Sequence, residues 1–217
     1  MATRREIRSD IILRLTKGKP SDDFEIDNRQ IDFWIDTSRS AIIKQYIDSE
    51  ALYGVESVIT LFNGEKAVDV ESRKISSNSL GINSVQYFSK LPGSVLNMSN
   101  DIGLYRVETE GGETIKRMKP TDVSRFKTLW WANPDDCNIA YYRVGDEIIY
   151  QGGKQGFLKN GKVNLYLVLE NTRDQVSDNE EYPMPGSLIS MLLDSCEEIG
   201  MRELQKIQDL ENDGIQE

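Results

Sequence analysis

Asp27-Asn-Arg-Gln-Ile31-Asp-Phe-Trp-Ile35-Asp-Thr-Ser-Arg-Ser-Ala41-Ile-Ile-Lys-Gln-Tyr46-Ile-Asp-Ser49 decides the architecture of this chain. Ile31, Trp34, Ile35, Ser38, Ala41, Ile42, Gln45 and Tyr46 recur three and four apart, the period of one helix face. Asp27 with Gln30 three residues on is a start signal, so the spacing predicts a helix from about Asn28 to Ser49. Phe33, Ile43 and Ile47 form a second apolar strip on the same segment. A helix with two apolar strips is touched on more than one side, by a bundle or by a subunit interface.

Further helices are predicted at both ends. Thr3 and Glu6 have capping-box spacing, Ile7, Ile11 and Leu15 follow at intervals of four, and Gly18 and Pro20 end the pattern. At the other end, Ser187 is the expected cap of a helix carrying Leu188, Leu192, Cys196, Ile199, Glu203, Ile207 and Leu210, with Gly214 past its end.

Between the helical ends the period switches to strands. Val55–Phe62 and Ala67–Ile75 are expected strand runs on either side of Asn63-Gly64, a strong tight-turn dipeptide. Ile102–Thr109, Gly111-Gly112 and Glu113–Lys119 form an expected hairpin, and Asn138–Val144, Gly145-Asp146 and Glu147–Gln151 a second. Val163–Leu169 is the most strand-like run, Thr121–Trp131 is expected as a short helix, and the Ser/Asn-rich Ser76–Asn100 as a long irregular loop. The class expected is α+β: N- and C-terminal helices in one bundle (1–51 and 184–217) around an inserted antiparallel β-rich middle (52–183).

Composition narrows the chemistry. The chain has no histidine, which removes Ser–His and Cys–His nucleophile pairs and histidine-bearing metal sites. Cys137 and Cys196, 59 positions apart and outside any CxxC spacing, are expected to be free thiols. No apolar run spans a bilayer, and the charged N-terminus has no signal core, so neither a membrane span nor export by the usual route is expected. The net charge of −10 is uneven. Residues 1–20 carry six Lys/Arg against two Asp/Glu, +4, whereas residues 171–217 carry three against twelve, −9. A basic head and an acidic tail attract one another within a chain or between copies, while overall acidity opposes general nucleic-acid binding.

Candidate chemistry is sparse. Gly156-Phe-Leu-Lys-Asn-Gly161-Lys162 fits a P-loop as far as its lysine, but Val163 stands where a Ser or Thr should hold magnesium and opens a strand instead of a helix. Asn160-Gly161 is expected as a turn. The carboxylate clusters Asp22, Asp23, Glu25 and Asp27, then Asp135 and Asp136, then Glu180 and Glu181, sit in polar, turn-like contexts, and the first matches no calcium loop. Trp130-Trp131 is expected to close a short helix, with a sugar or partner platform as the sharper alternative. Arg4, Arg5 and Arg8 alternate with the apolar stripe of the first helix, as a solvated face or a basic docking element.

The stretches Asp22-Asp-Phe-Glu-Ile-Asp-Asn-Arg-Gln-Ile-Asp-Phe-Trp-Ile35 and Tyr182-Pro-Met-Pro-Gly-Ser-Leu-Ile-Ser-Met-Leu-Leu193 resemble structural proteins of short-tailed bacteriophages. They are most similar to the head–tail connector, or ring (adaptor), proteins of the crAss-like phages that infect Bacteroides. The resemblance implies a virion protein of the tail or neck, assembled in the host cytoplasm. It further implies twelve copies in a closed homo-oligomeric ring below the portal protein, contacts with other tail or ring proteins, and a part in genome ejection. Genomic DNA would pass through the channel without specific binding. No enzymatic activity, metal or cofactor is expected. Portal or ring contacts are expected at Arg4, Arg5, Arg8, Phe33, Ile43 and Ile47. The alternatives are a carboxylate-dependent cell-wall or glycan hydrolase, and a carbohydrate-binding β-module of the virion built on Trp130 and Trp131.

Overall fold

A computed structural model of the chain describes residues 2–18, 26–48, 58–62, 64–76, 83–98, 103–123, 139–152, 161–173 and 175–214. Asp22, Asp23, Glu25, Trp130, Trp131, Asp135, Asp136 and Cys137 lie outside these residues, as does most of the expected helix Thr121–Trp131, of which a 3-10 turn at Pro120–Asp122 and helical Val123 are described. The class is α+β, with three α-helices and two sheets among the described residues. Contacts divide the chain into Met1–Ile59 with Glu170–Glu217, and Thr60–Leu169.

The first unit holds α1 (Arg4–Leu15), α2 (Asn28–Asp48) and α3 (Gly186–Gly214). α1 opens on the predicted capping box: Thr3 Oγ1 accepts from the Glu6 amide at 3.2 Å, and the Glu6 carboxylate accepts from the Thr3 amide at 2.8 Å. Its end needs left-handed backbone at Lys17 and Gly18, φ 51° and 76°, and the Gly18 amide donates to the Leu13 carbonyl. Asp27 starts α2 by accepting from the Arg29 amide. α3 begins one residue before the expected cap, so Ser187 lies in its first turn, and Gly214 is its last helical residue rather than the residue beyond.

Ile7, Ile11 and Leu15 of α1, Ile31, Trp34, Ile35 and Ile42 of α2, and Leu188, Leu192, Leu193 and Cys196 of α3 share one apolar core. Gly200 lets α3 approach closely, since a Cβ there would meet Leu15 methyls at 2.7 Å and the Trp34 ring at 3.2 Å. Residues 170–184 join the same unit: Tyr182 and Met184 enter the core, and an isolated bridge pairs Thr3 with Glu181.

The second unit carries nine strands among the described residues. In one sheet β9 (Lys162–Leu167), fully buried at alternate positions, lies between β5 (Leu104–Thr109) and β1 (Thr60–Phe62) with β2 (Val68–Asp69). β1 and β2 both run antiparallel to β9, on the side away from β5, so they are one strand line broken by a 3-10 turn at Gly64–Lys66. The tight turn expected at Asn63-Gly64 does not pair the runs that flank it, since β1 and β2 both pair with the apolar β9 instead.

The other sheet runs β3 (Glu71–Ser76), β4 (Asn83–Lys90), β8 (Glu147–Gly152), β7 (Ile139–Val144) and β6 (Lys116–Arg117). β4 occupies part of the segment expected to be an irregular loop. Its polar residues hide it: Ser89 is fully buried, donating to the Asp69 carbonyl at 2.9 Å and accepting from Tyr150 at 3.2 Å. The β7–β8 hairpin turns at Gly145, φ 61°, as predicted. The β5 hairpin turns at Gly112, φ 84°, and pairs back through Ile115 before the chain leaves as β6, parallel to β7. Lys162 opens a strand, as the P-loop rejection requires.

Candidate assembly surface

α1 places arginines four apart, and α2 places aspartates four apart, so two charged pairs face one another beside the apolar faces of the two helices. Arg4 is 1% exposed; its Nη2 donates to Asp36 and, at 2.8 Å, to Thr172 Oγ1. The Thr172 hydroxyl in turn donates to Asp36 at 3.1 Å. Arg8 forks onto Asp32, with Nη2 at 2.8 and 3.1 Å from the two oxygens, and also reaches Asp178. Burial opposes the Arg8 charge, but the hydrogen bonds and charges of Asp32 and Asp178 outweigh it and raise its pKa.

A third arginine, Arg39, is fully buried and donates to the carbonyls of Pro183 and Val58. Desolvation lowers its pKa and raises that of the buried Tyr182, whose ring lies 5.7 Å from the Arg4 guanidinium and 5.8 Å from that of Arg39. These contacts fasten α1, α2 and residues 170–184 to one another, and at 1% exposure Arg4 presents no surface to a partner.

The six expected contact residues therefore separate. Arg4 is buried because it joins the apolar stripe, three residues before Ile7, instead of alternating with it. Ile43 and Ile47 are buried as well, and Arg8 is half-buried in its ion pairs. Arg5 and Phe33 remain exposed, Phe33 at 68%. Phe33 stands at a groove of about 560 Å3, bounded along α2 by Arg29, Thr37, Ala41 and Lys44 and across from it by Glu170 and Arg173.

Asp32 and Asp36 also line this groove, yet both are occupied from behind by Arg8 and Arg4. Arg29, Lys44 and Arg173 have no ion-pair partner among the described residues. Among the described residues the rim thus keeps three exposed cations against the carboxylate of Glu170, on a chain whose net charge is −10. Sequence reading missed this rim. The available signal was the pair of four-residue intervals, Arg4/Arg8 and Asp32/Asp36, each set within an apolar helix pattern.

Glu180 and Glu181, the carboxylate cluster wholly within the described residues, are exposed, and Glu180 accepts from the Ser177 amide as a turn residue. Among the described residues no cluster of three or more Asp, Glu, Cys or His side chains is placed to hold a metal, and no helix is long and apolar enough to cross a membrane. Cys196 is a buried free thiol.

No curated protein matches the chain. The family model CrAss_Ring_2, described as phage tail ring protein 2, matches residues 6–216, which takes in α1 from its third residue, α2, α3 and both sheets described above. The chain belongs to the phage tail ring protein 2 family.

Proposed function

We propose that the chain is a non-enzymatic virion subunit that closes with copies of itself into a ring, docks below the portal as a head–tail connector, and lines part of the genome channel. Twelve copies, assembly in the host cytoplasm and passage of DNA at ejection belong to this reading, as does a division of labour in which the helical part meets the portal side and the β-rich part meets the next component. The family match across residues 6–216 supports it most. Charge is consistent with it, because an acidic surface repels phosphate and lets DNA slide without sticking. Portal or ring contact is proposed at Arg5 and Phe33, the exposed members of the six expected positions.

Co-sedimentation with purified portal at two salt concentrations tests the reading. Docking steered by charge weakens at high salt, since screening shortens to about 3 Å at 1 M. Failure to co-sediment with portal at either salt concentration would overturn the docking.

A further inference from the structure

The exposed stripe of α2, Arg29, Phe33, Thr37, Ala41 and Lys44, carries cations that make no ion pair among the described residues. α3 has an exposed stripe of its own. Met191, Asp194, Glu198 and Met201 follow at intervals of three, four and three, so they form one ridge on the helix surface. Met191 is 47% and Met201 37% exposed, both large for apolar side chains on a surface helix. We infer that the α2 groove of one copy receives this α3 ridge of a second copy, joining copies head to tail; the inference rests on the ring reading above.

Three observations select a second copy as the occupant. The first is charge: the groove rim has three cations against Glu170, whereas the ridge and its flank carry Asp194, Glu197 and Glu198 against Arg14 and Arg202, which already pair with them. The rim is net positive and the ridge net negative, so the two surfaces attract while two rims repel. The second is reach. Arg29 to Lys44 spans about 22 Å along α2 and Met191 to Met201 about 15 Å along α3, so the ridge lies within the groove's length. The third is shape: the small side chains of Thr37 and Ala41 follow Phe33 and leave room for a flexible methionine. Groove and ridge are different patches on one protomer, so the pairing repeats head to tail from copy to copy, a heterologous interface of the kind that closes into rings.

Two variants separate this pairing from the ring reading itself. Phe33→Asp with Lys44→Glu spoils the groove; Met191→Asp with Met201→Asp spoils the ridge. All four positions are exposed, so circular dichroism and melting should match the parent. By sedimentation velocity, the parent forms closed oligomers and each variant alone stays monomeric, with self-association weakened at least tenfold. Mixed one to one, the variants stop at a dimer, because one contributes only a sound ridge and the other only a sound groove. Parent rings that persist in both variants, or a mixture that stays monomeric, would overturn the groove–ridge pairing and leave the ring reading standing. A groove variant that still forms rings but no longer binds portal would also overturn it, assigning the groove to the portal. A parent that never self-associates, alone or with portal, would remove the ring reading and the pairing with it.

Discussion

Replacing Asp36 by leucine tests how the helical unit is held together. Arg4 is 1% exposed, so its charge depends on neighbours rather than water. With Asp36 gone, the nearest remaining carboxylate oxygen is that of Asp32, 4.0 Å from Nη1, and Asp32 already accepts three hydrogen bonds from Arg8. An uncompensated buried charge of this kind costs about 3–5 kcal/mol, and the Thr172 hydroxyl loses an acceptor worth about 1 kcal/mol. With a urea slope near 2 kcal/mol/M, the midpoint of the helical unit should fall by roughly 2–3 M. The double variant Arg4→Met/Asp36→Leu leaves no unpaired charge and should recover to within about 1 kcal/mol of the parent. Arg14→Ala is the control: its partners Asp194 and Glu197 are solvent-exposed, so it should cost less than about 1 kcal/mol. Urea unfolding followed by far-UV circular dichroism gives all three values. An Asp36→Leu cost below about 1 kcal/mol, or a double variant weaker than the single, would refute the reasoning.

Other consequences follow from packing. Leu192→Asp places a charge at a fully buried position of the three-helix core and should cost roughly 4 kcal/mol or more; a parent-like melting curve would remove α3 from that core. Gly103→Ala brings a Cβ to 2.2 Å from the Leu96 carbonyl oxygen and 2.6 Å from a Val95 methyl, so it should destabilise the β-rich unit by about 1–3 kcal/mol and leave the helical unit unchanged in hydrogen exchange. Burial pushes the Cys196 thiol up to about 11, so in a Cys137→Ser background a thiol reagent at pH 8 should label it only on unfolding; rapid native labelling would contradict its burial.

The helices were legible because their signals are local: Thr3 with Glu6, and apolar residues at three and four from Ile7 to Leu15 and from Ile31 to Ile42. The β7–β8 hairpin was legible for the same reason, since Gly145-Asp146 supplies the turn that the strands need. β4 was not, because Asn83, Ser84 and Ser89 mask its alternation, and the polar group at Ser89 is satisfied by Asp69 and Tyr150, far away in sequence. The Asn63-Gly64 turn misled because β9 pairs with both flanking strands, which no local signal encodes. Arg4 misled at the candidate surface. A basic residue near a terminus looks solvated, yet its position on the stripe and the facing Asp36 bury it. The exposed Phe33 was among the expected contacts, while the cations beside it, brought together by Arg173 from another segment, were not.

Imaging the tail region of the assembled particle by electron cryomicroscopy tests the central claim most directly. The account predicts density for this chain as a closed ring of identical copies around the channel next to the portal, with α2 of each copy against α3 of its neighbour. A chain found as isolated peripheral copies, off the channel axis and touching no second copy, would contradict it.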